Sequence, residues 1–322
     1  MLVRVSYGTA IAMGLIRAKM MARPTTAYLM TYWPGRCAND CAFCAQARSS
    51  KSDLDKLSRV TWPAFELEDV IKALPNGRFG RICLQTIDYP GMLDDVFTLL
   101  EAFKSLNLPV SVSITPVDTN TLEEFKDLGV DYIGVGLDVA SEGSFKKIKP
   151  DFEWEEMWAF AERIVNVFGP ERALVHVIVG LGETDRELIE TFERAYSLGA
   201  DVSLFAFTPL KGTRLENLKP PSIERYRKVQ LARWLVENGL SDRIIMEGDS
   251  IAGFELDGID VPPSVFATHG CPACNRPYYN ERPNKEPYNF PFPPKKEYVE
   301  GVLTWLGSQR PRGRARQSSR AC

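Results

Sequence analysis

The chain has 322 residues, 44% of them hydrophobic and 25% charged, with a net charge of −3; this suits one large barrel or two medium domains of an ordinary globular protein. Seven cysteines in a chain of this length exclude a secreted disulfide framework, and their C-x-x-C pairing suggests reduced thiols holding metal, so a cytoplasmic location is expected. Neither a membrane nor a nucleic acid is an expected partner: the apolar run Thr9–Met21 carries Arg17 and Lys19 and is too short to span a bilayer.

In chain order, residues 1–26 read as an N-terminal helical segment with an amphipathic helix across Thr9–Met21. A first strand over Ala27–Trp33 leads into a cysteine-bearing loop. Further strands are predicted at Arg81–Thr86, Pro109–Ile114, Tyr132–Leu137, Ala173–Val179 and Val202–Thr208. Amphipathic helices are predicted at Glu66–Leu74, Leu93–Leu106, Thr121–Leu128, Trp154–Val167, Asp185–Leu198 and Ile223–Asn238. Strands alternating with helices at this pitch imply βα units and a parallel sheet. Six such units across 27–240 predict an α/β fold, a partial (β/α)6 TIM-type barrel, with chemistry at the C-terminal ends of its strands. A doubly wound open sheet competes, but no phosphate loop follows the first strand.

From 241 to 306, nine prolines between Pro262 and Pro294 break up regular structure. An irregular Pro-rich C-terminal extension wrapped on the barrel is expected, with one helix near Glu297–Leu306. Residues 307–322 hold five arginines and no acid, a basic tail that cannot bury enough surface to fold; Cys322 goes with it.

Cys37, Cys41 and Cys44 are spaced C-x3-C-x2-C on the loop after the first strand. Three thiolates on one loop leave one iron of a cubane [4Fe–4S] cluster open for a ligand. Zinc is the competing metal, but it favours paired C-x-x-C units in a closed tetrahedral set. The pattern resembles the radical S-adenosylmethionine (SAM) superfamily. The resemblance implies that the open iron chelates SAM and that reductive cleavage releases a 5′-deoxyadenosyl radical, with the protein supplying binding and orientation. It also sets Phe43 beside the SAM adenine, although a ring shielding the cluster is an equally simple role.

Val177–Thr184 reads VIVGLGET, a β-branched strand ending in glycines that let backbone approach a ligand closely. It resembles the adenine-side strand of biotin synthase and its relatives, which assigns Ile178, Gly180, Gly182 and Glu183 to SAM. By the same likeness Asp138 accepts hydrogen bonds from the ribose hydroxyls, a helix N-cap being the plainer reading, and Lys149 pairs with the SAM carboxylate. The Gly-Gly-Glu of many relatives is missing; Leu84–Asp88 stands there, leaving the SAM amino group without a contact. The turn TPLKGTRL at Thr208–Leu215 again resembles biotin synthase, so the likeness runs from about Ala27 to Glu216.

The sacrificial [2Fe–2S] cluster of biotin synthase uses cysteines on the second, third and fifth strands. Here Cys83 stands on the second, Ser111 and Ser113 on the third, and Leu174 and His176 on the fifth. Two further thiols appear in His269-Gly-Cys-Pro-Ala-Cys-Asn-Arg-Pro as Cys271 and Cys274. A C-x-x-C among prolines is a bidentate metal clip. With Cys83 it offers a second trio for an auxiliary [4Fe–4S] cluster; a structural zinc and a redox dithiol are the alternatives.

Together these features resemble the subunits of the archaeal-type two-protein lipoyl synthase, most of all in the Cys271–Pro283 stretch. That resemblance implies a sulfurtransferase of lipoate biosynthesis, abstracting hydrogen from C6 or C8 of an octanoyl chain on a carrier lysine. The auxiliary cluster would donate the sulfur. It implies as partners an octanoylated lipoyl domain or glycine-cleavage H protein, a second radical SAM subunit and a reduced ferredoxin-type electron donor. The competing readings are a radical SAM mutase or methyltransferase on a small metabolite, with a cluster that is not consumed, and a non-catalytic iron–sulfur or zinc protein.

Overall fold

The structure is a computed structural model and describes residues 1–308. The chain opens with β1 (Leu2–Val5) and α1 (Tyr7–Met13). The helix expected across Thr9–Met21 therefore stops early. Gly14 turns left-handed at φ +83° and its N–H bonds back to the carbonyls of Ala10 and Ile11, the geometry in which glycine ends helices. The strand before it was not expected; Val3 and Val5 are fully buried because β1 pairs antiparallel with its neighbours.

Next come β2 (Thr26–Thr31), the hairpin strands β3 (Lys56–Leu57) and β4 (Val60–Thr61), then β5 (Ala64–Glu66) and α2 (Leu67–Ala73). The repeating part continues with β6 (Arg81–Gln85), α3 (Met92–Lys104), β7 (Val110–Ile114), α4 (Thr119–Asp127), β8 (Val130–Asp138), α5 (Glu142–Ile148), α6 (Trp154–Phe168), β9 (Ala173–Val179), α7 (Asp185–Ser197), β10 (Asp201–Ala206) and α8 (Ile223–Glu237). The last elements are β11 (Ile244–Glu247), β12 (Ser250–Phe254) and α9 (Lys296–Ser308).

One sheet carries the molecule, in the order β10-β9-β8-β7-β6-β2-β1-β5. Its six parallel strands are the six read from the sequence, and the mixed sheet is an open, partial barrel. β1 and β5 extend it antiparallel beyond β2, an addition that the βα repeat did not announce. Along the parallel strands one face is apolar and packed against the helices: Ile82 and Leu84, Val110 and Val112, Val175 and Val177 are buried. The alternate positions Cys83, Ser111, Ser113 and His176 face the interior, and the two-residue period of a strand sorts the two sets.

The extension forms a second small core. Ile251, Phe254, Phe266, Val299 and Val302 pack against Leu231 and Leu235 of α8. Arg227 of α8, fully buried, donates to the carbonyl of Pro287 at 2.6 Å and to the Tyr298 hydroxyl at 3.0 Å, pinning the extension down. α9 includes Gly307 and Ser308, so the basic stretch begins later than expected; residues 309–322, with Cys322, lie outside the described residues. Among the described residues no helix is long and apolar enough to cross a membrane.

Candidate functional site

At the C-terminal ends of the parallel strands lies a cavity of about 240 Å³. Cys37, Cys41 and Cys44 all line it, together with Phe43, Asp138, Lys149 and Ile178. The cysteine loop is closed on itself: Cys37 N–H donates to the Gln46 carbonyl at 2.9 Å and Cys44 N–H to the Cys41 carbonyl at 3.0 Å. Neighbouring turns brace it from outside. Ala42 N–H donates to Ile148 and Lys51 N–H to Gly212, at 2.8 and 2.7 Å. Gly212 has φ +88°, and a Cβ there would lie 2.5 Å from the Ser52 nitrogen. The Lys-Gly-Thr turn therefore packs backbone against backbone on the Lys51–Ser52 segment that follows the cysteine loop.

Burial pushes the thiols up, Cys44 to about 12, with Cys37 and Cys41 also raised. Opposing groups favour thiolate: the N–H groups of Asn39 and Asp88 point at Cys37 Sγ, at 3.4 and 3.3 Å, and Lys149 acts on Cys41.

Asp138 ends β8 at φ +64°, a left-handed conformation that is uncommon outside glycine and that aspartate tolerates better than most residues. Its Oδ2 accepts from Lys149 Nζ at 2.8 Å, and the same ammonium donates to the Gly136 carbonyl. Lys149, 2% exposed, thus already holds an anion of the protein at the edge of the chamber. Gly180 and Gly182 have φ +107° and +106°, and neither they nor Glu183 line the cavity. The Glu183 carboxylate instead accepts from the N–H groups of Gly180 and Leu181, both at 2.8 Å, and pairs with Arg225 at 3.0 Å. The glycine turn is closed by its own acid, a local contact that the sequence did not reveal.

Residues not singled out by the sequence complete this chamber. Asp88 accepts from the Thr115 hydroxyl at 2.8 Å and from the Asn39 amide, and both Asp88 and Thr115 line the cavity. Asp88 belongs to the stretch occupying the place of the missing Gly-Gly-Glu, which was the one available signal.

A second cavity of about 340 Å³ lies deeper in the barrel and shares Gln85, Ser113, His176, Phe205 and Tyr279 with the first. Cys83, Cys271 and Cys274 all line it. The clip is a tight turn, with Cys274 N–H donating to the Cys271 carbonyl at 2.9 Å. Pro272 stands at the second position and Ala273, at φ +67°, at the third, where such turns favour glycine. The Ala273 carbonyl accepts from the hydroxyls of Thr25 and Thr26 at 2.6 and 2.7 Å, and Arg81 Nε donates to the Pro272 carbonyl at 3.1 Å. The extension thereby plugs the N-terminal end of the barrel with two thiols aimed inward.

Donors surround these sulfurs. Gln85 Nε2 lies 3.1 Å from Cys83 Sγ and the Tyr28 hydroxyl lies 3.6 Å from Cys274 Sγ, while the Ser111 hydroxyl, which donates to the Ile82 carbonyl at 3.4 Å, acts on both Cys83 and Cys271. Burial lifts Cys83 to about 11 and raises Cys271. Between the chambers, burial depresses His176 to about 4, so its imidazole is neutral. Gly134 makes room for it: a Cβ there would come within 2.8 Å of His176 Cε1 and 2.4 Å of Ser113 Oγ.

The ligand atoms of Asp201, Glu237 and His269 lie within 4.8 Å of one another, whereas in neither thiol trio do all three sulfurs come that close.

The Radical SAM superfamily model matches residues 32–195, half of the chain, from the cysteine loop through α7. The chain belongs to the radical SAM superfamily. Membership implies a [4Fe–4S] cluster and SAM, and the residues fit them: three free thiols on one loop share a cavity with Phe43, Asp138 and Ile178. The chain is 28% identical to a biotin synthase of Persephonella marina over 61% of its own length and 58% of that protein. A biotin synthase of Hydrogenobaculum sp. is 30% identical over 58% of this chain and 56% of the relative. The chain thus matches less than two thirds of these relatives' length. In fold it is similar to methylornithine synthase (TM-score 0.53, 16% identity, 71% of this chain and 68% of that one). It is similar too to an FeFe-hydrogenase maturase from Carboxydothermus hydrogenoformans (TM-score 0.55, 18% identity, 73% and 56%).

Proposed function

We propose that this radical SAM chain inserts sulfur in the manner of a lipoyl synthase, acting on an octanoyl chain carried by a lysine of a partner protein. The observation that carries the reading is the second thiol trio, Cys83 with Cys271 and Cys274, set across a shared wall from Cys37, Cys41 and Cys44. When bound, the two clusters and SAM supply a carbon radical and the sulfur that it takes up. Cys37, Cys41 and Cys44 hold the first cluster and the other trio the auxiliary one. Asp138, fixed by Lys149, offers its carboxylate to the ribose, Phe43 and Ile178 flank the adenine, and Asp88 with Thr115 receives the amino group.

Gln85, Ser113 and neutral His176 form the partition across which the acyl carbon faces both sites. An uncharged partition keeps the passage free of ions that would draw in water. Fixing reacting atoms in this way is worth roughly 7–11 kcal/mol. The likeness to biotin synthases supports sulfur chemistry, while serine and histidine in place of the strand cysteines account for the new clip. A second radical SAM subunit and a reduced ferredoxin-type donor complete the proposed system.

The test is iron and sulfide content with Mössbauer spectra after anaerobic reconstitution, comparing wild type with Cys37→Ala/Cys41→Ala/Cys44→Ala. Two cubane sites predict about eight irons falling to about four. About four irons falling to none would remove the sulfur donor and leave a radical SAM enzyme acting on a small metabolite.

A further inference from the structure

The inner chamber also reaches the surface sideways, between α1 with the segment after it and the Pro277–Pro283 stretch. Its polar groups gather at the deep end, at Cys83, Ser111, Gln85, His176 and Arg276. Outward the wall becomes apolar, through Trp62, Ile11, Met20 and Pro277. At the rim stand Tyr7 and Met21, 43% and 73% exposed, among the most exposed large hydrophobic residues of those described. Exposed apolar side chains around the mouth of a cavity mark a binding site rather than ordinary surface. The volume, about 340 Å³, is at the lower end of small-ligand sites, which span roughly 300–1,000 Å³.

We propose that this lateral passage binds a linear aliphatic acyl chain, methyl end inward toward Cys83, Cys271 and Cys274, with its amide-linked head at the Tyr7–Met21 rim. The identity of the carrier rests on the sulfur-insertion reading; the shape and polarity rest on the cavity alone. Along the passage the charged groups stand only at its two ends, Lys19 outside and Arg276 inside. Arg276 is held through one nitrogen: its guanidinium lies 3.9 Å over the Phe205 ring and Nη2 donates to Ser203 Oγ at 3.1 Å and to the His269 carbonyl at 2.9 Å, while Nε is buried without a partner among the described residues. An apolar rod matches the uncharged wall between those ends, whereas a carboxylate carried along it would be stripped of water.

The test is binding by the full chain, reconstituted anaerobically, of fluorescent peptides whose lysine carries a butanoyl, hexanoyl, octanoyl or ω-carboxyoctanoyl group. Each methylene placed in the passage should tighten binding roughly fourfold, and the ω-carboxylate should weaken it. Ile11→Trp should flatten the series. So should Gly8→Phe, at a site where an added Cβ meets nothing closer than 4.0 Å; iron content and thermal midpoint report that each variant folds. An unchanged series in both variants would overturn the passage and leave the sulfur-insertion reading standing. Wild-type binding that ignores chain length, or favours the ω-carboxylate, would overturn the passage and with it an octanoyl substrate. A rising series in a protein holding one cluster would keep the passage and sink only the sulfur-insertion reading.

Discussion

At the scale of single residues, the molecule spends glycine where backbone must meet backbone or ligand. Gly212 is the clearest case: its carbonyl accepts from Lys51 N–H, and any Cβ would overlap the Lys51–Ser52 peptide. Gly212→Ala combines a left-handed alanine with overpacking, a cost of roughly 2–4 kcal/mol. The expected result is lower stability in denaturant together with loss of iron from the Cys37–Cys44 loop, and spared iron at the Cys271–Cys274 clip. Iron lost equally from both sites would show that the turn does not act through the cysteine loop. Gly134 plays the corresponding part between the chambers, where Ser113 and His176 occupy the space a side chain would take.

At the scale of elements, a loop distant in sequence is fastened to the strand ends by named bonds. Asn275 is 4% exposed; its Oδ1 accepts from Thr25 N–H at 3.0 Å and its Nδ2 donates to the Arg23 carbonyl at 2.9 Å. Asn275→Ala leaves both backbone groups unpaired, which costs roughly 2–3 kcal/mol. The freed clip should then expose Cys271 and Cys274 to a thiol reagent in the metal-free protein, with Cys37 labelling unchanged. Equal labelling of wild type and variant would show that other contacts suffice. The βα repeat was legible because its strands alternate cleanly with amphipathic helices. β1 was not legible: four residues paired antiparallel to β2 carry no repeat, and the apolar run Thr9–Met21 continues through Gly14.

At the scale of the whole molecule, the extension couples the barrel to pH. Burial lifts Glu281 from an ordinary 4.5 to about 7, against the Tyr288 N–H and the nearby Arg59 and Arg227. A carboxyl raised in the folded state binds its proton more tightly there than in the unfolded chain. Its favourable contribution is therefore whole below about 4.5, declines as pH rises, and is gone above about 7, a change of up to about 3 kcal/mol. Glu281→Gln should remove most of this slope, so thermal midpoints of the variant should differ less between pH 5 and pH 8 than those of wild type. Parallel slopes in the two proteins would assign the pH dependence to other groups.

Local chemistry was enough to mark the Cys37–Cys41–Cys44 loop, the six parallel strands and the unusual Cys271–Cys274 pair, because metal-ligand spacing and strand or helix periods are written between near neighbours. The superfamily follows from those features. Other relations were decided only when the chain closed. Lys149 meets Asp138 across eleven residues that include α5, a partnership that spacing does not disclose. The meeting of Cys83 with a clip nearly two hundred residues later, the neutral wall at His176 and the lateral apolar passage all join elements far apart in sequence. They exist because the extension is bonded beneath β2 and β6, and no local pattern records such long-range bonds.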